Sequence, residues 1–458
     1  MPFTNEQTTT NVPANSPEAD RDRLRTLLVS YSFPPVGGAG VQRMLKLAKY
    51  LPEHGVLPTV LTVANPSVPL TDESLLRELP PGIDVLRART FEPGYAVKRA
   101  AWSRTASHRK SRLGAIAKEL LVPDPQILWQ PAAQAAMLRQ LYFSPRPPDV
   151  VLISGPPFSQ FLLAPLARLR GKTGVVLDYR DEWSTYRTTY EMMGGRLASK
   201  IGDPLESALL RAAHVVITAT EEFRDNLLGH FRFLQPSRVY AIPNGYDAED
   251  FPSELPSPPR DKFVIGYAGT IFKLTSVRGF LGAVRLFHER SPELARYLSV
   301  RFIGRIVDTE LDAFEGTEAL GVERVGYLEH AQSLSELARC HLVLCTLDEV
   351  PGVERIYPAK IFELMYLGRP CLTLSPPGAL TRLVSRHGLG DVLPPRDEAR
   401  ICTYLETRIR AFRGGNGHAH TDENGAPSFA PLGIERYARR ALAGEFAAAM
   451  REAAKLAE

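Results

Sequence analysis

Cysteine is scarce in this chain and long apolar runs are missing from it, and each shortage removes a class of protein. Four of the 458 residues are cysteine, at Cys340, Cys345, Cys371 and Cys402. Their spacing fits no metal-ligand pattern and they lie mostly in apolar runs, so they are expected to be buried thiols. No apolar run is long enough to span a membrane, and the polar stretch from Met1 to Asp20 has no signal-peptide core, so a cytoplasmic protein is expected. The 55 basic and 51 acidic residues leave a formal charge of only +4, too little to argue for nucleic acid. The Walker pattern and the full dinucleotide fingerprint are also missing, so the glycine-rich stretch at 33–40 has no nucleotide assignment of its own.

What is present is a repeated alternation of short apolar runs with helical patterns. A strand over residues 26–31 runs into a loop holding Gly37 and Gly38, where glycine permits a sharp turn and a close backbone approach. Val41, Met44, Leu45, Ala48 and Leu51 then recur at helical spacing as far as Gly55. Further apolar runs at 58–63, 149–154, 174–179, 215–219 and 239–242 imply a mostly parallel sheet covered by helices. Pro252, Pro256, Pro258 and Pro259 mark a polar linker. A second alternation follows, with strands expected at 263–270, 300–303, 322–326, 342–346 and 371–374. The organisation expected is a disordered tail over 1–22, a domain over 23–250, a linker over 251–261, a second domain over 262–432, and a terminal helical segment, 433–458, packing at the domain junction. Residues 414–427, rich in Gly, Asn and His, read as a loop whose His418 and His420 could take a metal only adventitiously.

The stretch 357–370 is the most informative. Pro358 suits a helix start and Gly368 its stop, and between them Lys360 and Glu363 share one face near the N-terminal turn. The pair is either a grip for phosphate and hydroxyl groups or a solvated i,i+3 pair. Ser154 and the run 178–183 fall at strand ends, where parallel sheets bind ligands; Arg180 and Asp181 either pair with each other or face a substrate. Lys98, Arg99, Arg104, Arg109, Lys110, Arg112 and Lys118, interleaved with Tyr95, Trp102, Leu113 and Ile116, make a basic segment. It suits an anionic membrane surface or an acidic acceptor, and equally a plain solvated face.

Taken in order, residues 31–38, 178–183, 244–247, 267–270 and 358–370 resemble the nucleotide-sugar glycosyltransferases of family 4, which have the GT-B fold, over nearly everything from Leu24 to Leu456. The similarity is strongest to the bacterial branch that assembles surface polysaccharide or glycoconjugate. It implies an α/β protein of two Rossmann-like domains facing each other across a central cleft, the acceptor held mainly by the first and the sugar nucleotide mainly by the second. It implies a retaining, metal-independent glycosyltransferase of hexosyltransferase type, with a nucleotide-diphosphate sugar as co-substrate and no cofactor. The acceptor would be a saccharide or a lipid-linked saccharide, the latter met at a peripheral contact with the inner membrane face, and no nucleic acid would be bound.

Carried over by position, Glu363 matches the carboxylate that holds the ribose hydroxyls, and Gly37 and Gly38 match the loop that approaches the pyrophosphate. Gly269, Thr270, Lys273 and Arg278 lie where the family places its diphosphate contacts, with Lys360 a further cation for the leaving group. Arg180 and Asp181 are assigned to the catalytic set with them. Tyr327 and Leu328 fall at the base-binding loop, and Ser154, Lys98, Arg99 and Arg109 on the acceptor side. There are two departures: where the family has a pair of glutamates eight apart, the first position here is Arg355, with Glu354 one residue off; and no histidine stands near Ser154. Two other functions stay open, a nucleotide-sugar epimerase on the same fold and a non-catalytic scaffold that binds nucleotide sugar.

Overall fold

A computed structural model describes residues 23–98, 121–184, 196–252, 254–414 and 431–458. The expected tail, the basic residues Arg99 and Arg109, and the histidines His418 and His420 lie outside the described residues.

The apolar runs form two parallel sheets. The first has seven strands: β1 (Leu24–Val29), β2 (Val56–Val63), β3 (Asp84–Ala88), β4 (Val150–Gly155), β5 (Gly174–Tyr179), β6 (Val215–Thr218) and β7 (Val239–Ala241), in the order β3-β2-β1-β4-β5-β6-β7. The second has six: β8 (Phe263–Ala268), β9 (Leu298–Ile303), β10 (Val322–Gly326), β11 (Leu342–Thr346), β12 (Cys371–Leu374) and β13 (Gly390–Leu393), in the order β10-β9-β8-β11-β12-β13. Both sheets therefore reverse strand order beside their first strand, and ligand crevices of doubly wound sheets open at that point. This is the two-domain GT-B architecture. β3 and β13 carry no strong apolar run because both are edge strands with largely uncovered side chains.

Helices cover both faces of each sheet. Leu28, Val60, Leu152 and Val176 of the first sheet pack with Met44 and Leu47 of the helix Ala39–Tyr50. The same cluster takes in Leu442, Phe446 and Met450 of the terminal helix Arg439–Lys455, so that helix returns to the first sheet after the second domain is complete. The linker between the sheets is the stretch 242–262, from the end of β7 to the start of β8, and the helix's entry is laced to it: Tyr246 N–H donates to Tyr437 O at 3.0 Å and Arg439 N–H to Tyr246 O at 2.7 Å. A Cβ on Gly245 would lie 2.1 Å from Tyr437 O, so the crossing is possible only with glycine there. The second domain is built in the same way, with Phe280, Val284 and Phe287 of the helix Arg278–Arg290 packed on Ile265, Val300 and Leu344.

The fold of the first domain is pinned by a buried ion pair. Arg43 forks onto Asp178 at 2.7–3.2 Å and also donates to Ile242 O at 2.9 Å and Pro243 O at 2.8 Å, while Ser154 Oγ donates to Asp178 at 2.7 Å. Both charged side chains are within 2% of complete burial. Removing one partner of such a pair strands the other charge in a low-dielectric site. Asp178→Ala should therefore lower stability by about 3–5 kcal/mol in urea unfolding, and a loss below about 1 kcal/mol would show that Arg43 finds another acceptor.

Candidate active site

The second domain supplies most of the site through the loops that follow its parallel strands. Pro358 precedes the helix Lys360–Leu367, which ends on Gly368 at φ 66°, the left-handed closure expected of that glycine. The helix lays Ile361, Phe362, Leu364 and Met365 into the core, which turns Lys360 and Glu363 toward the strand ends. Lys360 Nζ lies 3.4 Å above the Tyr267 ring centroid and has no hydrogen-bond acceptor. A Cβ on Gly269, in the loop after β8, would sit 3.6 Å from that ammonium. Gly269 adopts φ 130°, and a Cβ on Gly304 would lie 2.4 Å from Gly269 O. Gly304 N–H in turn donates to Gly326 O at 2.7 Å, so the loops after β8, β9 and β10 abut and lead from Lys360 to Tyr327.

Glu363 stands at the far end of this wall. Its Oε1 accepts from His330 Nε2 at 3.0 Å, and His330 Nδ1 is 3.8 Å from Asp250 Oδ2 in the linker. Burial works against ionisation of both partners, yet the pair holds Glu363 below its usual range and raises His330 to about 9, so the site carries a carboxylate beside an imidazolium at neutral pH. Arg439, at the start of the terminal helix, is brought down to about 10 by burial first and by Arg43, and its charge also acts on Glu363.

Asp250 is held from the first domain. Lys46, 1% exposed, sits among Glu78 at 2.6 Å, Asp247 at 2.8 Å and Asp250. Lys49 and Tyr50 also reach Asp247, at 3.0 and 2.7 Å. Burial pushes Asp247 up, but Lys46 first among its partners brings it well below the usual carboxylate range. Among the described residues Glu78, Asp250 and His330 alone have the spacing of a metal site, and the Lys46 ammonium already bridges the two carboxylates.

The glycine loop of the first domain faces this wall. Tyr327, 42% exposed, donates its hydroxyl to Asp72 at 2.9 Å, and Asp72 N–H donates to Pro35 O at 2.7 Å. Gly38 adopts φ 94° and a Cβ there would meet nothing within 4 Å, so it borders open space. Gly37 differs, because its N–H already donates to Leu70 O at 3.1 Å. Arg355, at the departure from the family pattern, forks onto Glu182 of the first domain at 2.5 and 3.0 Å, and its carbonyl accepts from Thr220 at 2.7 Å. The position thus bridges the two domains.

Several residues expected at the site serve elsewhere. Ser154 is fully buried and committed to Asp178, because β4 is covered on both faces and Ser154 lies directly opposite Asp178 in the β4–β5 register. Lys98 is not an open basic residue but a buried partner of Glu92, whose other oxygen accepts from Tyr31. Arg180 pairs neither with Asp181 nor with open space; its guanidinium clamps the carbonyls of Gly40 and Pro156, and Asp181 is exposed. Arg278 is drawn to Asp312 at 2.9 Å, Glu310 at 3.3 Å and Thr309 O at 2.7 Å, whereas Lys273 is exposed and in no ion pair. Thr270 is exposed, its carbonyl accepting from Thr275 at 2.8 Å, and Leu328 packs partly on the second-domain core. His330, Asp250 and Lys46 were not expected; a histidine three residues past Tyr327 was the one signal for them.

Residues 37–245 match the family model described as a glycosyl transferase 4-like domain. No curated protein matches the sequence. Among solved structures, Anabaena HepE in complex with UDP and glucose is similar at 16% identity, with 93% of this chain and 98% of that one covered and a TM-score of 0.57. TarM of S. aureus, solved as a mutant in complex with Fondaparinux, alpha-GlcNAc-glycerol and UDP, is similar at 10% identity over 93% and 99% of the two chains, with a TM-score of 0.58. The N-terminal domain of Candida albicans trehalose-6-phosphate phosphatase reaches a TM-score of 0.61 at 12% identity over 94% and 97%. Residues 37–245 are accordingly similar to glycosyl transferase 4-like domains, and the whole chain has the GT-B fold.

Proposed function

We propose that the protein transfers a sugar, of hexose type, from a nucleoside-diphosphate sugar to a hydroxyl acceptor. The observation that carries this is the convergence of Glu363, the unpartnered Lys360 ammonium and the Tyr327 loop on one wall, opposite the open glycine turn at Gly38. The complexes of HepE with UDP and glucose and of TarM with UDP support the same ligand class.

In this reading Glu363 accepts the ribose hydroxyls, Tyr327 and Leu328 cover the base, and Lys360 with Lys273 meets the diphosphate, near Gly269 and Thr270. A buried cation without an acceptor is preorganised for charge that grows on the leaving group. The bond from the anomeric carbon to the diphosphate oxygen breaks as the acceptor oxygen bonds to the same face of that carbon. The acceptor proton passes to the departing phosphate oxygen, and because attack and departure share one face of the anomeric carbon the reaction is retaining. The protein's part is to align the reactants and to offset the leaving charge, and its own cations meet that need without a metal. Asp181, exposed two residues past the end of β5, keeps in this reading the catalytic assignment that the resemblance gives it. A lipid-linked saccharide suits the basic sequence that follows Lys98, since Phe91 and Val97 ahead of it are 71% and 62% exposed, as at a peripheral contact with the cytoplasmic membrane face.

Glu363→Ala should weaken binding of nucleoside diphosphates by about 1–3 kcal/mol in calorimetric titration, the cost of leaving hydroxyl donors unpaired. An unchanged dissociation constant removes Glu363 from the ribose site. Lys360→Met should lower kcat by about 10²–10³ while nucleotide affinity changes far less, because the cation acts mainly on the departing charge. Donor consumed without any acceptor present would instead support the epimerase.

A further inference from the structure

We propose that His330 is a positioning residue of the donor site, holding Glu363 in the orientation that presents its second carboxylate oxygen to the nucleotide ribose and tying that carboxylate to the interdomain linker. The proposal rests on the donor-site assignment above and adds to it a residue outside the family-like motifs.

His330 opens the helix His330–Ala338, directly after the Tyr327 loop, and its side chain is 20% exposed. The ring is clamped from two directions: Nε2–H donates to Glu363 Oε1 at 3.0 Å, and Nδ1–H faces Asp250 Oδ2 at 3.8 Å. Only one oxygen of Glu363 is engaged in this way. The carboxylate remains 23% exposed, which leaves Oε2 and a lone pair of Oε1 for two hydroxyl donors. A glutamate with three free torsions would have to be ordered at the moment of binding, and the imidazole does that ordering beforehand. Because Asp250 is anchored by Lys46 of the first domain, the orientation of the ribose carboxylate also depends on how the domains meet.

The charges around the ring are Glu363 from its neighbouring helix, Asp250 from the linker, Glu78 from the first domain, and the opposing cations Lys46 and Arg439. Burial disfavours the imidazolium, but the carboxylates prevail and raise it to about 9. A folded-state value above the ordinary 6.5 means that the proton's contribution is complete below that pH and is lost as pH rises through 9. The deprotonated ring keeps one N–H for two carboxylates, so the clamp loosens.

The test is calorimetric titration of uridine diphosphate from pH 7 to 10. His330→Ala should raise Kd about tenfold at pH 7.5, a loss of the size expected for one charge-assisted hydrogen bond. His330→Gln, whose amide nitrogen can reach Glu363 Oε1 but does not titrate, should recover most of the affinity. Wild-type affinity should fall above pH 9 while that of His330→Gln stays level, and His330→Ala should add nothing in the Glu363→Ala background. Wild-type binding matched by His330→Ala at every pH overturns the proposal and leaves the donor site standing. Absence of wild-type binding to uridine diphosphate and to every other nucleoside diphosphate overturns both. If His330→Ala does not fold, an identical pH profile for wild type and His330→Gln overturns it.

Discussion

One buried ammonium decides how the two domains meet. Lys46 is in the middle of a helix of the first domain and is all but sealed from solvent, and an isolated ammonium so placed would cost several kcal/mol. The chain meets that cost by folding the linker back so that Asp247 and Asp250 face Lys46, with Glu78 completing the shell. Asp250 then stands where His330 of the second domain can reach it, and His330 holds Glu363. Glu363, the carboxylate proposed for the ribose, is thus the last member of a series of charges that begins on the first helix.

The other contacts across the cleft follow the same logic, each spending a polar side chain on relative placement. Arg355 and Glu182 form a forked pair with side chains only 19% and 3% exposed, and Tyr327 ties its loop to Asp72 and through it to the glycine loop. The arginine that departs from the family pattern is therefore explained by its partner: a carboxylate at that position would set a second negative charge against Glu182. Lys360 is the exception among these groups, since it has an aromatic face and no anion. A cation kept in that state is available to a ligand.

Much of the fold was legible because apolar runs bounded by glycine and proline can hardly be anything but buried parallel strands. The Pro358-to-Gly368 punctuation likewise located the helix that carries Lys360 and Glu363, although the helix begins at Lys360 rather than beside the proline. The edge strands β3 and β13 escaped because exposed side chains leave no apolar signature. Ser154 misled because position at a strand end does not reveal which neighbour the side chain meets; the pairing of β4 with β5 does, and it set the hydroxyl against Asp178. Lys46, Asp250 and His330 were invisible for a different reason: each is an ordinary polar residue in its own segment, and their meaning lies in contacts between segments 80 and 204 residues apart.

The most direct measurement is a crystal structure of the protein with uridine diphosphate bound. The account predicts the ribose hydroxyls within hydrogen-bond distance of Glu363, with His330 still on its other oxygen, and the diphosphate against the Lys360 ammonium. A nucleotide bound in the first domain, or bound with Glu363 and Lys360 both out of contact, would contradict it.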